Sequence, residues 1–276
     1  MKRRFSQVDV FTEVPYFGNP LAVVLNAEGV SEEQMARFAN WTNLSETTFL
    51  LPPVRPEADY RVRIFTPSGE LPFAGHPTLG SAHVWLDSVG GPALADVIVQ
   101  ECGVGLVEIR RSADGLAFAA PPLIRSGPVD GADLDRIASA LGVPRTEIVD
   151  AAWVDNGPGW VAVLLASAEA VLAVRPSAAP IPLGVVGFHE PDLASAYEVR
   201  AFIDVNGQVV EDPVTGSLNA SVAQWLIGSG RVRPPYLATQ GSALGRDGRV
   251  SIDRTDDGQI WIGGRVAASV EGTVEL

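Results

Sequence analysis

Two stretches of this chain read alike, and a fold that accommodates both must hold the same unit twice. Arg63-Ile-Phe-Thr-Pro-Ser-Gly-Glu-Leu-Pro-Phe-Ala-Gly-His-Pro77 runs into an apolar helical pattern containing Trp85-Leu86. Arg200-Ala-Phe-Ile-Asp-Val-Asn-Gly-Gln-Val-Val-Glu-Asp-Pro213 runs into one containing Trp225-Leu226. Each reads strand, turn, strand, then a polar residue, a proline and a helix. Pro77 and Pro213 are 136 residues apart, close to half of the 276 residues. A duplicated α/β unit gives two similar halves, and ligands bind preferentially in clefts between such halves. The Pro- and Gly-rich stretch from Pro121-Pro122 to Gly127-Pro128 is the natural boundary. It predicts an N-terminal domain over residues 1–122 and a C-terminal one over 123–276, with the last strand free to return to the first domain.

The periodicities fill in the rest. Ser31 with Gln34 three residues on is a capping-box pattern, and Met35, Phe38 and Ala39 follow as an apolar helical stripe. Leu134, Ile137, Ala138 and Leu141 repeat at helical spacing, with Gly142 where a C-terminal cap belongs. Alternating or continuously apolar runs at residues 7–11, 21–25, 60–66, 96–100 and 104–110 read as strands, as do 160–165, 197–203, 250–253, 259–262 and 265–270. Strands outnumber helices and do not alternate with them regularly. A doubly wound parallel sheet is thereby disfavoured, and a mixed, mostly antiparallel α/β (α+β) fold wrapped on a few helices is expected.

Charge and cysteine content narrow the chemistry. A net charge of −13 repels phosphate backbones and anionic bilayers, so neither nucleic acid nor a membrane is an expected partner. The most apolar region, 160–174, carries Glu169 and is too short to span a bilayer. No apolar export signal follows the basic start Met1-Lys-Arg-Arg-Phe5, so a cytoplasmic location is expected. Cys102 is the single cysteine, which excludes a disulfide framework and any two-thiol mechanism within one chain. Three histidines without a paired spacing make a metal site an unexpected feature, and no phosphate-loop or dinucleotide fingerprint is present.

The candidate chemistry gathers at the two helix starts. Proline is favoured at a first helical position, which puts His76 and Asp212 at N-cap positions beside free backbone N–H groups and a partial positive charge. Such a start holds a carboxylate without help from Arg or Lys, so a strongly acidic chain can still take a small anionic substrate. Asp212 reads equally well as a plain helix cap. His76 is a poorer cap than Ser or Asp, which favours a chemical role, and Ala74, Gly75 and Gly80 allow close approach to the backbone. Glu46, in Asn43-Leu-Ser-Glu-Thr-Thr48, enters an apolar run. An arbitrary loop glutamate is solvated, but one partly desolvated there gains the raised pKa that suits a base returning its proton. His83, inside an apolar helix, and His189, in a loop without obvious partners, are weaker candidates.

Four motifs carry a resemblance: Phe17-Gly-Asn-Pro-Leu-Ala-Val-Val24, Asn43-Leu-Ser-Glu-Thr-Thr48, Gly69-Glu-Leu-Pro-Phe-Ala-Gly-His-Pro-Thr-Leu-Gly80 and Glu211-Asp-Pro-Val-Thr-Gly-Ser217. In this order they resemble the PhzF family of phenazine biosynthesis, from Val8 to the Trp261-Ile-Gly-Gly-Arg265 region. The resemblance implies a diaminopimelate-epimerase-like fold, two pseudo-symmetric domains each with a sheet around a central helix. It implies a homodimeric isomerase that needs neither cofactor nor metal and moves a proton on a dihydro-hydroxyanthranilic acid. By position, Glu46 matches the proton-shuttling glutamate, His76, Asp212 and Ser217 match groups around the substrate, and the amides of Gly75–His76 and Gly216–Ser217 match the ligand-facing helix starts. Related epimerases use two cysteines as opposed acid and base. Here Ala74 stands where the first would be, and a single carboxylate suits a proton shift on one face better than inversion. An isomerase or epimerase of another small amino-acid-like acid, and a catalytically silent binding protein, remain the competing readings.

Overall fold

A computed structural model describes residues 1–90, 96–112, 114–191 and 193–276. They form two compact units, Met1–Ala119 with Gly263–Leu276, and Ala120–Ile262. The fold is mixed α/β with mostly antiparallel strands.

The first unit opens with β1 (Lys2–Val10) and β2 (Asn19–Val24), then α1 (Glu32–Thr42) and β3 (Glu46–Leu51). Next come β4 (Tyr60–Thr66), β5 (Gly69–Leu71), α2 (Gly75–Ser88), β6 (Val97–Cys102), β7 (Gly105–Ser112) and β8 (Gly115–Ala119). β1 pairs antiparallel with β2 and with the closing strand Val266–Glu275. β3–β4, β4–β5, β6–β7 and β7–β8 are also antiparallel. β2–β3 and β4–β6 are parallel, and each of these pairs is bridged by a helix, as a parallel crossover requires.

α1 starts as its sequence dictates: Ser31 accepts from the Gln34 amide while Gln34 reaches back, and Asn43 ends the helix in the left-handed region at φ 54°. Its Met35 and Ala39 pack on Val24, Phe49 and Phe65. α2 lies buried along nearly its whole length, as a helix without a polar face must. Gly80 makes that possible, because a Cβ there would sit 2.5 Å from Leu21 of β2. Tyr60 of β4 stacks on Trp85 of α2 with ring centroids 5.4 Å apart.

The second unit repeats this order. β9 (Arg125–Pro128) and α3 (Gly131–Leu141) lead into β10 (Asp150–Asp155), β11 (Val161–Leu164), α4 (Ala168–Ala173) and β12 (Leu183–Phe188). β13 (Ser195–Val205), β14 (Gln208–Asp212), α5 (Gly216–Gly228), β15 (Tyr236–Gln240), β16 (Gly248–Arg254) and β17 (Ile260–Gly264) follow. β10–β11, β12–β13, β13–β14 and β15–β16 are antiparallel, whereas β11–β12 and β13–β15 are parallel. Leu134, Ile137, Ala138 and Leu141 of α3 form a core with Val161, Val163, Val185 and Phe202. Gly142 ends α3 at φ 70°. The stretch read as a boundary is partly ordered sheet, since Arg125–Pro128 pairs with β10.

The echo is real, but its register differs from the one the prolines suggest. Phe65 faces Glu70 across the β4–β5 hairpin, and Phe202 faces Glu211 across β13–β14. Arg63 grips Glu70 through two nitrogens at 2.7 and 2.6 Å, and Arg200 grips Glu211 likewise at 2.9 and 2.7 Å. The counterpart of Pro213 is therefore Pro72, which follows β5 as Pro213 follows β14, and Pro77 is a separate proline. Helix starts align as Gly75 with Gly216 and His76 with Ser217.

Candidate active site

Three side chains meet in the first unit. Asn19 opens β2, Glu46 opens the parallel neighbour β3, and His76 is the second residue of α2. His76 Nε2 lies 3.2 Å from Glu46 Oε2, with side chains 6% and 15% exposed. On the other edge of the ring, Nδ1 faces the fully buried Asn19 amide nitrogen at 3.5 Å. The Asn19 amide nitrogen, donating there, is compatible with a neutral ring that carries its proton on Nε2. Burial pushes the imidazole pKa down to about 3, so His76 is neutral over the physiological range. A polar seam fixes the elements behind it: Ser81 of α2 donates to Thr48 of β3 at 2.9 Å, and Thr48 donates to the Ala22 carbonyl of β2.

Neither His76 nor Asp212 is an N-cap. The cap of α2 is Ala74, and Pro77 is the third helical residue. Proline fits there because first-turn amides have no intrahelical acceptor to lose. The cap of α5 is Thr215, Pro213 lies in the loop before it, and Asp212 ends β14. Both starts share a property the sequence did not reveal. α1, α3 and α4 are capped by the side chains of Ser31, Asp130 and Ser167, whereas Ala74 and Thr215 make no side-chain cap. The first-turn amides of Gly75–His76 and Gly216–Ser217 thus have no side-chain cap over them, which is the condition for holding an anion.

In the second unit Asp212 and Ser217 flank that cap. Thr215 Oγ1 donates to Asp212 Oδ2 at 2.5 Å. Ser217 Oγ accepts from Trp160 Nε1 at 3.0 Å, and the Ser217 carbonyl accepts from Asn156 Nδ2 at 2.9 Å. Gln240, 1% exposed, ties the turn together through Thr215, Asn219 and the Asp212 carbonyl. Asn19, Thr215, Trp160 and Gln240 are supporting residues that the sequence reading assigned no role. The available clue was a polar residue inside a stretch that must be buried.

The remaining titratable candidates take other places. His83 is half-buried on α2, its Nε2 3.5 Å from Asp87 one turn on, and burial lowers its pKa while Asp87 opposes the shift. His189 finds partners across the sheet that its sequence neighbours do not provide: Thr239 at 2.7 Å and, behind it, the buried Glu198. Among the described residues no cluster of three or more His, Cys, Asp or Glu could hold a metal ion, and no helix is long and apolar enough to cross a membrane.

Each unit is a mixed α/β fold built around a long buried helix whose start has no side-chain cap. A sequence model of the family described as phenazine biosynthesis-like protein, PhzC-PhzF, matches residues 8–272. The chain is 34% identical to "Antisense-enhancing sequence 1" of Schizosaccharomyces pombe, covering 97% of each. It is 32% identical to a trans-2,3-dihydro-3-hydroxyanthranilate isomerase of Pseudomonas aeruginosa, covering 99% of each. In structure it is similar to a PhzF-family phenazine biosynthesis protein of Bacillus anthracis, with a TM-score of 0.86, 22% identity and full coverage of both chains. A hydroxyproline epimerase of Agrobacterium vitis shares the fold at a TM-score of 0.58 and 15% identity, with 100% of this chain and 93% of that one covered. The chain belongs to the PhzC-PhzF family, and it is an isomerase.

Proposed function

We propose that the protein moves a proton on a small unsaturated or cyclic carboxylic acid without a cofactor, using Glu46 as acid and base. The observation that carries this reading is the 3.2 Å approach of the Glu46 carboxylate to the buried ring of His76, which burial keeps neutral. Glu46 takes a proton from a carbon made acidic by conjugation, and then returns it elsewhere on the same conjugated system. The His76 N–H steadies the carboxylate while it is charged and gives way when it is protonated. Each helix start without a side-chain cap offers backbone N–H groups and a partial positive charge to an acid group and to charge that develops during transfer. Asp212 and Ser217 stand at the second of these starts as polar contacts to substrate. Positioned proton transfer accounts for on the order of 10²–10⁴-fold, and the remaining acceleration comes from orientation and electrostatics.

Relatives named trans-2,3-dihydro-3-hydroxyanthranilate isomerase make that acid the first substrate to test. Proton NMR in D₂O, with wild type and Glu46→Gln compared, follows both isomerisation and deuterium uptake. Turnover by wild type alone supports the assignment, and equal turnover by both overturns the role of Glu46.

A further inference from the structure

We propose that Thr215 is a positioning residue for Asp212, its hydroxyl committed by Gln240 to the carboxylate instead of to the start of α5. This rests on the reading of Asp212 as part of the functional site. Threonine at an N-cap ordinarily turns its oxygen to the first-turn amides, and Thr215 does not.

The hydrogen-bond directions follow from groups that have only one role. The Thr215 backbone N–H donates to Gln240 Oε1 at 2.9 Å, and Asn219 Nδ2 donates to the same oxygen at 2.8 Å. That orientation leaves Gln240 Nε2 as the donor, to the Asp212 carbonyl at 3.1 Å and to Thr215 Oγ1 at 3.0 Å. A hydroxyl has one proton. With Oγ1 already accepting from Gln240, that proton goes to Asp212 Oδ2, 2.5 Å away. Gln240 and Asn219 are 1% and 0% exposed, so the amide end of this network is buried. The chain of donors runs one way, from amide to hydroxyl to carboxylate. It fixes the carboxylate's orientation and favours its charged form. The same diversion leaves the Gly216–Ser217 amides without a cap, so one threonine serves both halves of the helix start.

The test follows the Asp212 carboxyl by carbon-13 NMR through a pH titration of the whole protein. Thr215→Val removes the donor, and the Asp212 midpoint should rise by about one to two pH units, the worth of a hydrogen bond to a charged acceptor. Thr215→Ser keeps the hydroxyl and should titrate as wild type does. Thr215→Ala makes the same prediction as valine should the valine variant not fold. A midpoint unchanged in folded Thr215→Val or Thr215→Ala, or a serine variant displaced as far as the valine one, overturns the proposal. In parallel, turnover of the hydroxyanthranilate substrate should fall in the valine variant, with the acid limb of its pH profile moved up, and return in the serine variant. A shifted midpoint in a protein whose wild type turns nothing over supports the relay and removes the substrate assignment instead.

Discussion

The two repeats of this chain share their hydrogen-bonding order and even their arginine clamps, yet they place them in different surroundings. Arg63 and Glu70 sit at the surface, where Arg63 also bonds Glu32 at the start of α1. Arg200 and Glu211 are 5% and 11% exposed, and Arg200 also donates to the Val171 and Val174 carbonyls at the end of α4. Each arginine stacks on its own phenylalanine, Phe65 at 5.1 Å and Phe202 at 4.8 Å. In both units the clamp ties the hairpin before the long helix to a shorter helix on the sheet. The chemistry diverges at matched positions. Glu46 pairs in register with Leu21, and its counterpart Leu183 pairs with Val161, fully buried and apolar. His76 is matched by Ser217. The same order of strands and helices thus carries a Glu–His pair in the first unit and an amide-and-hydroxyl network in the second.

Breaking the clamps should give the largest contrast in stability. Arg200→Ala strands a buried carboxylate and two helix-end carbonyls, and should cost about 3–5 kcal/mol. Arg63→Ala removes the same geometry where water screens it, and should cost no more than about 1 kcal/mol. Urea denaturation of the two variants measures the difference, and equal losses would show that burial is not what separates the repeats.

The second contrast is in pH. His76, held neutral to about 3 in the folded chain, takes up a proton near 6.5 when unfolded. The unfolded state therefore binds more protons between those values. This contribution to stability is whole above about 6.5 and falls by roughly 1.4 kcal/mol per pH unit as the pH drops toward 3. His76→Gln should lose that slope, whereas Ser217→Ala at the matched position should keep it, as thermal melts between pH 4 and 7 would show. A change as small as that of Arg63→Ala is expected of Trp160→Phe. It leaves Ser217 Oγ without its indole donor and should cost about 1 kcal/mol, read from the shift in urea midpoint.

What could be read from the chain was whatever local physics decides. The Ser31–Gln34 box, the Gly142 cap and the strand Tyr60–Thr66 emerge as the sequence implies, since capping chemistry and period-2 burial are written within a few residues. Asp150–Asp155 and Tyr236–Gln240, rich in alanine and polar residues, become strands because neighbouring strands pair with them, which no local pattern reports. The arginine clamps were printed in the echo itself, yet aligning on Pro77 shifted the register, because the second hairpin is longer than the first. Of the candidate site residues, the structure brings Glu46 and His76 together and sets Asp212 and Ser217 on either side of Thr215. The prolines do not locate the caps, Ala74 and Thr215, because proline is tolerated throughout the first turn and in the approach to it. Asn19 and Gln240 carry no local signal because their partners are 57 and 21 to 28 residues away in sequence.

The role of Glu46 is the point on which the rest turns, and deuterium exchange addresses it most directly. Trans-2,3-dihydro-3-hydroxyanthranilate is incubated in D₂O with wild type, Glu46→Gln and His76→Gln, and its proton signals are followed by NMR. Wild type should convert the acid and incorporate deuterium, Glu46→Gln should do neither while keeping its fold, and His76→Gln should fall between them. Conversion by folded Glu46→Gln at the wild-type rate would contradict the assignment of the proton transfer to this carboxylate.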